Sequence, residues 1–407
     1  MTLLLVNKFH YLKGGAERYY LDLGDSLAAR GDQVVYFSMR HPANRPAGPD
    51  DAFIPEIDFR SRMGPFARVR SGVKSIHNTE AAHLVRDLVR RRKPEVAHLH
   101  NIYHQLSPSV IRAIDREGIG IVQTLHDYKL VCPGYLLLTE GSTCERCRGG
   151  RYYQAFRHRC LLESRGASAV GMVEAYFHAW MRTYEKVRFF ICPSRFLLEK
   201  VASFGIAPER LIHLPYFLPI ERYTPAARRD AYYVYAGRLS REKGIATLLE
   251  AHARLPRTRL PLRILGDGPL REALEGRKLE LDLDDVRFEG FQEPDRLREI
   301  LAGALFVAVP SEWYENYPYA ILEAFALARP VLGARIGGIP ELVRDGETGW
   351  TAAPGDPVSF AEGLAALMAD PAKADSMGRA ARAWVAETLS PGPHLDQLHA
   401  IYERARR

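Results

Sequence analysis

Glu315 and Glu323 stand eight positions apart in PSEWYENYPYAILEAFA, a stretch that leaves an apolar strand, crosses a loop and restarts past Pro318 as a helix. Pro318 suits a first helical turn. Acids so placed act as caps, or they accept hydrogen bonds from neighbouring hydroxyls of a sugar or ribose. Upstream, AGRLSREKG leaves a strand with Arg238 and reaches Lys243 before a helix. These are two cations fit to flank a pyrophosphate, one a planar fork and one a point charge. LGDGP sets Gly266 and Gly268 after the next strand, and RIGGIPELVRDGETGW supplies Gly337 and Gly338. The amides of Asn316, Tyr317 and Tyr319, at a helix N-terminus, can bind anions or sugar hydroxyls, whereas Pro318 has no amide hydrogen. Together these groups describe a nucleotide diphosphate site, with Glu323 on a ribose and Glu315 on a sugar. Singly, each has a plainer reading as a solvated pair, a cap or a turn.

Such loops need a scaffold that delivers them to one edge. Buried apolar runs alternate with amphipathic helical segments along the whole chain, the signature of doubly wound parallel sheets. TLLLVNKF, QVVYFSM, EVAHLH, IGIVQTLHD and VRFFICPS read as strands of a first domain. After the proline-rich link LPYFLPIERYTP come YYVYAGR, LPLRILGDG, DVRFEGF, LFVAVPS, PVLGA and TGWTAA. The expected class is α/β. Residues 1–214 form an N-terminal Rossmann-like domain and 215–385 a C-terminal one. Residues 386–407 form a terminal helix that packs back on the first domain. Ligands bind beyond the carboxyl ends of such strands, so the cleft between the domains is the expected site.

The first half offers an acceptor side. KGGAERYY places Gly14 and Gly15 after the first strand, either as a tight turn or to let the backbone approach a phosphate or acceptor. His100, Asn101 and His104 follow another strand, and His104 also reads as a cap for the next helix. TLHDYKLVCP places His126 and Asp127 past a third strand. His126 is the cleft candidate, orienting an acceptor or stabilising charge on a reacting sugar; the alternative is a buried, hydrogen-bonded structural histidine.

At these residues the chain resembles the family 4 (group 1) retaining glycosyltransferases of GT-B fold. The glutamate pair matches Glu315 and Glu323, and GRLSREKG, GDGP, GGIPE and DGETGW follow in the family's order. The chain reads ENYP where the commoner form is EGFG. The resemblance implies two Rossmann-like domains facing across a cleft, and transfer of a sugar of the hexosyl type from a nucleotide-diphosphate donor to a glycan or lipid-linked acceptor. Surface polysaccharide or lipopolysaccharide synthesis would be the setting. It further implies that Arg238 and Lys243 stabilise the leaving diphosphate, that Glu323 binds ribose and that Glu315 contacts the transferred sugar. Gly14, Gly15, Gly266, Gly268, Asn316 and Tyr317 would serve the donor, and His126 the acceptor. No catalytic metal is needed, because the two cations substitute for it.

Composition fits this class. The 407 residues carry 47% hydrophobic and 26% charged side chains, ordinary for a globular protein. A net charge of +7 suits an anionic partner without specifying it. No apolar run reaches the roughly 18 residues of a membrane span, and the N-terminus lacks the pattern of a signal peptide, so a cytoplasmic protein is expected. Residues 59–93 hold ten Lys/Arg against two acids, interleaved with Phe66, Val69, Val73 and Ile76. That pattern permits an amphipathic basic helix on the anionic inner membrane surface, or a solvated helical face. Cys132, Cys144, Cys147 and Cys160, spaced by eleven, two and twelve residues, fit a structural four-thiolate zinc site in an insertion, with His158 as a substitute ligand. They fit four reduced thiols as well. Competing functions are a nucleotide-sugar epimerase or other GT-B enzyme, and a zinc-containing nucleic-acid binder. The binder leaves the cleft loops unexplained, and nucleic acid is not expected as a partner.

Overall fold

The computed structural model describes residues 1–57 and 65–406, with the side chains of 65–69 also outside the description. The chain divides into two units. One comprises Met1–Glu140, Cys144–Tyr216 and Pro391–Arg407, and the other Gly141–Thr143 and Phe217–Ser390.

The N-terminal unit is built on a seven-stranded parallel sheet. Its strands are β1 (Thr2–Val6), β2 (Gln33–Met39), β3 (Ala52–Ile54), β4 (Val96–Leu99), β5 (Gly120–Thr124), β6 (Phe189–Cys192) and β7 (Leu211–His213). They lie in the order β3-β2-β1-β4-β5-β6-β7. Leu3, Leu4, Leu5 and Val6 are wholly buried, because a parallel sheet covered by helices on both faces has no solvent side. Each such side chain contributes roughly 1.5–3 kcal/mol. Helix Gly15–Ala29 buries Tyr19, Tyr20, Leu23 and Leu27. Helix Pro391–Ala405 belongs to this unit: Tyr402 bonds His98 at 2.7 Å and His394 bonds Tyr19 at 3.0 Å.

The C-terminal unit carries a six-stranded parallel sheet: β8 (Tyr233–Ala236), β9 (Leu262–Leu265), β10 (Val286–Gly290), β11 (Val307–Val309), β12 (Val331–Ala334) and β13 (Gly349–Ala352). The order β10-β9-β8-β11-β12-β13 reverses direction between β8 and β11, which pair through Val234 and Val307. That reversal is the switch point where open α/β sheets take ligands.

The basic segment carries a helix where the spacing of Phe66 to Ile76 permits one, and a second helix after it. These are Pro65–Ile76 and Thr79–Arg92, and the Asn78 side chain caps the second by accepting from the Ala81 amide. Residues 59–64 of that segment, and the side chains of Phe66 and Val69, lie outside the described residues. Among the described residues no helix is long and apolar enough to cross a membrane.

Candidate functional site

In the C-terminal unit four loops converge at the switch point. Leu239 N donates to Asp267 O at 3.0 Å, joining the loops after β8 and β9. Glu312 N donates to Glu242 O at 2.9 Å, joining those after β8 and β11. Gly338 N donates to Glu315 O at 2.7 Å, bringing in the loop after β12. The approach is close enough to demand glycine. At Gly244, with φ +67°, a Cβ would sit 2.0 Å from Pro310 O, and at Gly266, with φ +119°, 2.0 Å from Gly237 O. Gly268 and Gly337 pack in the same way on Leu239 O and Glu315 O, at 2.3 Å each. Loop packing therefore accounts for Gly266, Gly268 and Gly337 by itself.

On this platform Lys243 Nζ donates to Glu315 Oε1 at 2.6 Å, and Ser311 Oγ donates to the same oxygen at 2.6 Å. Burial would raise the Glu315 carboxyl, but the Lys243 charge and these hydrogen bonds outweigh it and hold it below the usual range. Glu315 is thus a buried carboxylate, oriented by a lysine that keeps part of its surface. Arg238, at the end of β8, is exposed, and among the described residues its guanidinium has no acid partner.

Helix Tyr319–Ala326 is apolar and buried on all positions but Ala320 and Glu323. An acid on so buried a helix has a specific reason to be there, and Glu323 Oε1 accepts from Tyr223 Oη at 3.1 Å. Asn316 and Tyr317 are buried in the preceding turn, and burial raises the Tyr317 hydroxyl pKa. Lys243 and Glu315 are thus in direct contact, with Arg238, Asn316 and Tyr317 on the same loops. Glu323 lies farther along, on the helix that follows.

In the N-terminal unit Gly14 precedes the helix beginning at Gly15. Its φ of −170° is extended, and an added Cβ would meet only Glu17 Oε2, at 3.7 Å. Nothing in its own loop requires glycine there. His126, beyond β5, lies in a line of histidines. Its Nε2 is 3.0 Å from His100 Nδ1 and its Nδ1 is 2.5 Å from the Tyr216 hydroxyl. Burial, with the Lys8 charge second, pushes His126 down to about 3, so the ring is neutral at physiological pH. Both nitrogens being engaged, His126 fixes neighbours in place.

His104 does not cap a helix but lies 3.4 Å from Glu174. Glu174 also takes the buried Lys129 ammonium at 2.7 Å. Burial alone would raise Glu174, but Lys129 and His104 hold it at about 2. Lys129 and Glu174 stand at a cavity of about 250 Å³ lined also by Tyr152, His178 and Arg182.

Sequence reading passed over Ser311, Lys129 and Glu174. Ser311 had a local signal, a small hydroxyl residue at a strand exit. Glu174 had none, since 45 residues separate it from Lys129.

Residues 13–222 match the model described as Glycosyltransferase Family 4, more than half of the chain. The chain belongs to glycosyltransferase family 4. Residues 220–384 of this family 4 protein match the model for Glycosyl transferases group 1. It is 36% identical over 169 residues to a glycogen synthase of Mycobacterium tuberculosis, a match spanning 40% of either chain. Its fold is GT-B, in keeping with similar structures. Sucrose-phosphate synthase from Thermosynechococcus elongatus aligns over 99% of this chain and 98% of its own, with TM-score 0.74 and 21% identity. HepE from Anabaena, solved with UDP and glucose, aligns over 99% and 100% with TM-score 0.71 and 17% identity.

Proposed function

We propose that this family 4 protein is a retaining transferase moving a sugar from a nucleotide diphosphate to a hydroxyl of a glycan or lipid-linked acceptor, in surface polysaccharide or lipopolysaccharide synthesis. One observation carries the reading. At the switch point, an exposed arginine with no acid partner among the described residues shares the loop after β8 with a lysine already aligned by a buried glutamate. That arrangement suits a diphosphate, which the arginine meets with a fork of donors and the lysine with its remaining N–H groups. The complex of HepE with UDP and glucose is in keeping with it.

In the proposed reaction, the bond between the anomeric carbon and the diphosphate breaks as the acceptor oxygen bonds that carbon on the same face. The departing phosphate oxygen takes the acceptor proton. Arg238 and Lys243 face the negative charge that develops, as preorganised groups needing no reorientation. Glu323 accepts ribose hydroxyls and Glu315 the sugar's. Asn316 and Tyr317 offer amides from their turn, and Gly14 and Gly15 leave backbone open. His126, neutral, orients the loop of Asp127 and Lys129 toward the acceptor.

A thermal-shift panel of UDP, GDP, ADP and their sugars, followed by product analysis by NMR, tests this. One nucleotide should raise Tm, and its sugar should appear in the product with the donor's anomeric configuration. No stabilisation by any nucleotide, or an inverted product, contradicts the proposal.

A further inference from the structure

Four cysteines in the insertion remain without a role. Cys132, Cys144, Cys147 and Cys160, with His158, line a cavity of about 10 Å³, roughly the space of one water-sized sphere. Residues far apart in sequence are drawn to it by the backbone. Cys144 N donates to Leu137 O at 2.7 Å, folding the Cys-x-x-Cys turn onto the loop of Cys132. A Cβ on Gly134 would lie 3.2 Å from Cys160 Cβ and 3.8 Å from Cys132 Sγ, so these two cysteines flank one glycine.

All five cysteines are free thiols. Among the described residues no three or more His, Cys, Asp or Glu side chains stand as a ready metal-holding group. The four cysteines thus line the cavity without standing as a closed metal shell.

We propose that Cys132, Cys144, Cys147 and Cys160 close on a single zinc ion, a structural site with four thiolate ligands. Zinc takes sulfur at about 2.3 Å in a tetrahedron, so the cysteine side chains would turn into the cavity to complete the shell. Binding releases the thiol protons to solvent and leaves no position open for a reacting water. The ion would staple the insertion beside the loop it grows from. Cys132 N donates to Tyr128 O at 2.8 Å, and Lys129 Nζ donates to Pro133 O at 3.3 Å. Zinc therefore steadies Lys129 from a distance and takes no part in the transfer chemistry.

The test is elemental analysis of the full chain, purified under reducing conditions without chelator, with zinc titration of the stripped protein. About one zinc per chain is expected, together with a lower Tm after stripping that added zinc restores. Cys147→Ser should reduce zinc occupancy more than tenfold, while His158→Ala retains it. Should Cys147→Ser fail to fold, the metal content and titration of the unsubstituted chain still decide. Absence of zinc with no uptake on titration overturns the proposal, as does zinc retained at full occupancy in Cys147→Ser. Nucleotide-induced stabilisation reads the donor site separately, so a failure of one proposal is distinguishable from a failure of the other.

Discussion

Lys243 and Glu315 form an ion pair of 2.6 Å that ties the loop after β8 to the loop after β11, across the reversal of the sheet. The pair is lopsided: the Lys243 side chain is 26% exposed and that of Glu315 6%. Removing either partner should therefore have unequal consequences. Lys243→Ala strands a buried carboxylate and is expected to cost about 3 kcal/mol, whereas Glu315→Gln leaves a lysine able to turn to water and costs about 1 kcal/mol. Glu315 is held below its ordinary value, so its contribution is present above that value and lost as pH falls through the folded one. In Lys243→Ala the burial effect is opposed only by the remaining hydrogen bonds, such as that of Ser311, and the carboxyl takes up a proton more readily. The Tm gap between this variant and the unsubstituted chain should accordingly narrow from pH 8 to pH 4.5. Equal losses for the two substitutions, or a gap independent of pH, would speak against a buried, paired carboxylate.

Arg238 makes the complementary case. Exposed and without an acid partner among the described residues, it has little to lose in the folded chain. Arg238→Ala is expected to leave Tm nearly unchanged while weakening nucleoside diphosphate binding about 10- to 100-fold, as for a lost charge-assisted hydrogen bond. Calorimetric titration with diphosphate and with free nucleoside separates the effects, since only the diphosphate should weaken.

Glu323 should read the ribose. Glu323→Gln keeps the shape but offers one acceptor oxygen in place of two. The preference for a ribonucleotide over its 2′,3′-dideoxy counterpart is expected to shrink about tenfold, measured as a ratio of dissociation constants. An unchanged ratio would remove Glu323 from the ribose.

Acid should destabilise the N-terminal unit first. His98, His126 and His394 are each pushed down to about 3, by burial above all. Between pH 6.5 and 3 the unfolded chain binds protons there that the folded chain does not, so stability falls as pH falls. Each histidine contributes up to about 1.4 kcal/mol per pH unit. Tm should drop steadily from pH 7 to 5, and less steeply in His126→Gln. A flat profile would mean that these rings are charged or exposed.

How much of this was legible depends on how local each signal is. Strands such as TLLLV announce themselves because burial on both faces demands unbroken apolar residues. Three-residue strands such as Ala52–Ile54 and Leu211–His213 are too short for a pattern. The sequence reading passed over the second basic helix, whose start depends on the Asn78 side chain turning back to the Ala81 amide. At the candidate site, the charges of Arg238, Lys243 and Glu315 were visible as strand-end loops. Their partnerships were not: Lys243 meets Glu315 72 residues away because β8 and β11 are neighbours. Sequence alone could not show that both His126 nitrogens are engaged, since Tyr216 lies 90 residues downstream.

Lys243 tests the central claim most directly. Sugar transfer per folded molecule should be measured for Lys243→Ala at a temperature where circular dichroism shows it folded, beside the unsubstituted chain. A fall in turnover of about 100-fold or more is expected, the usual consequence of removing one preorganised donor from a developing anion. Unchanged turnover in the folded variant would contradict the assignment of this site to the departing diphosphate.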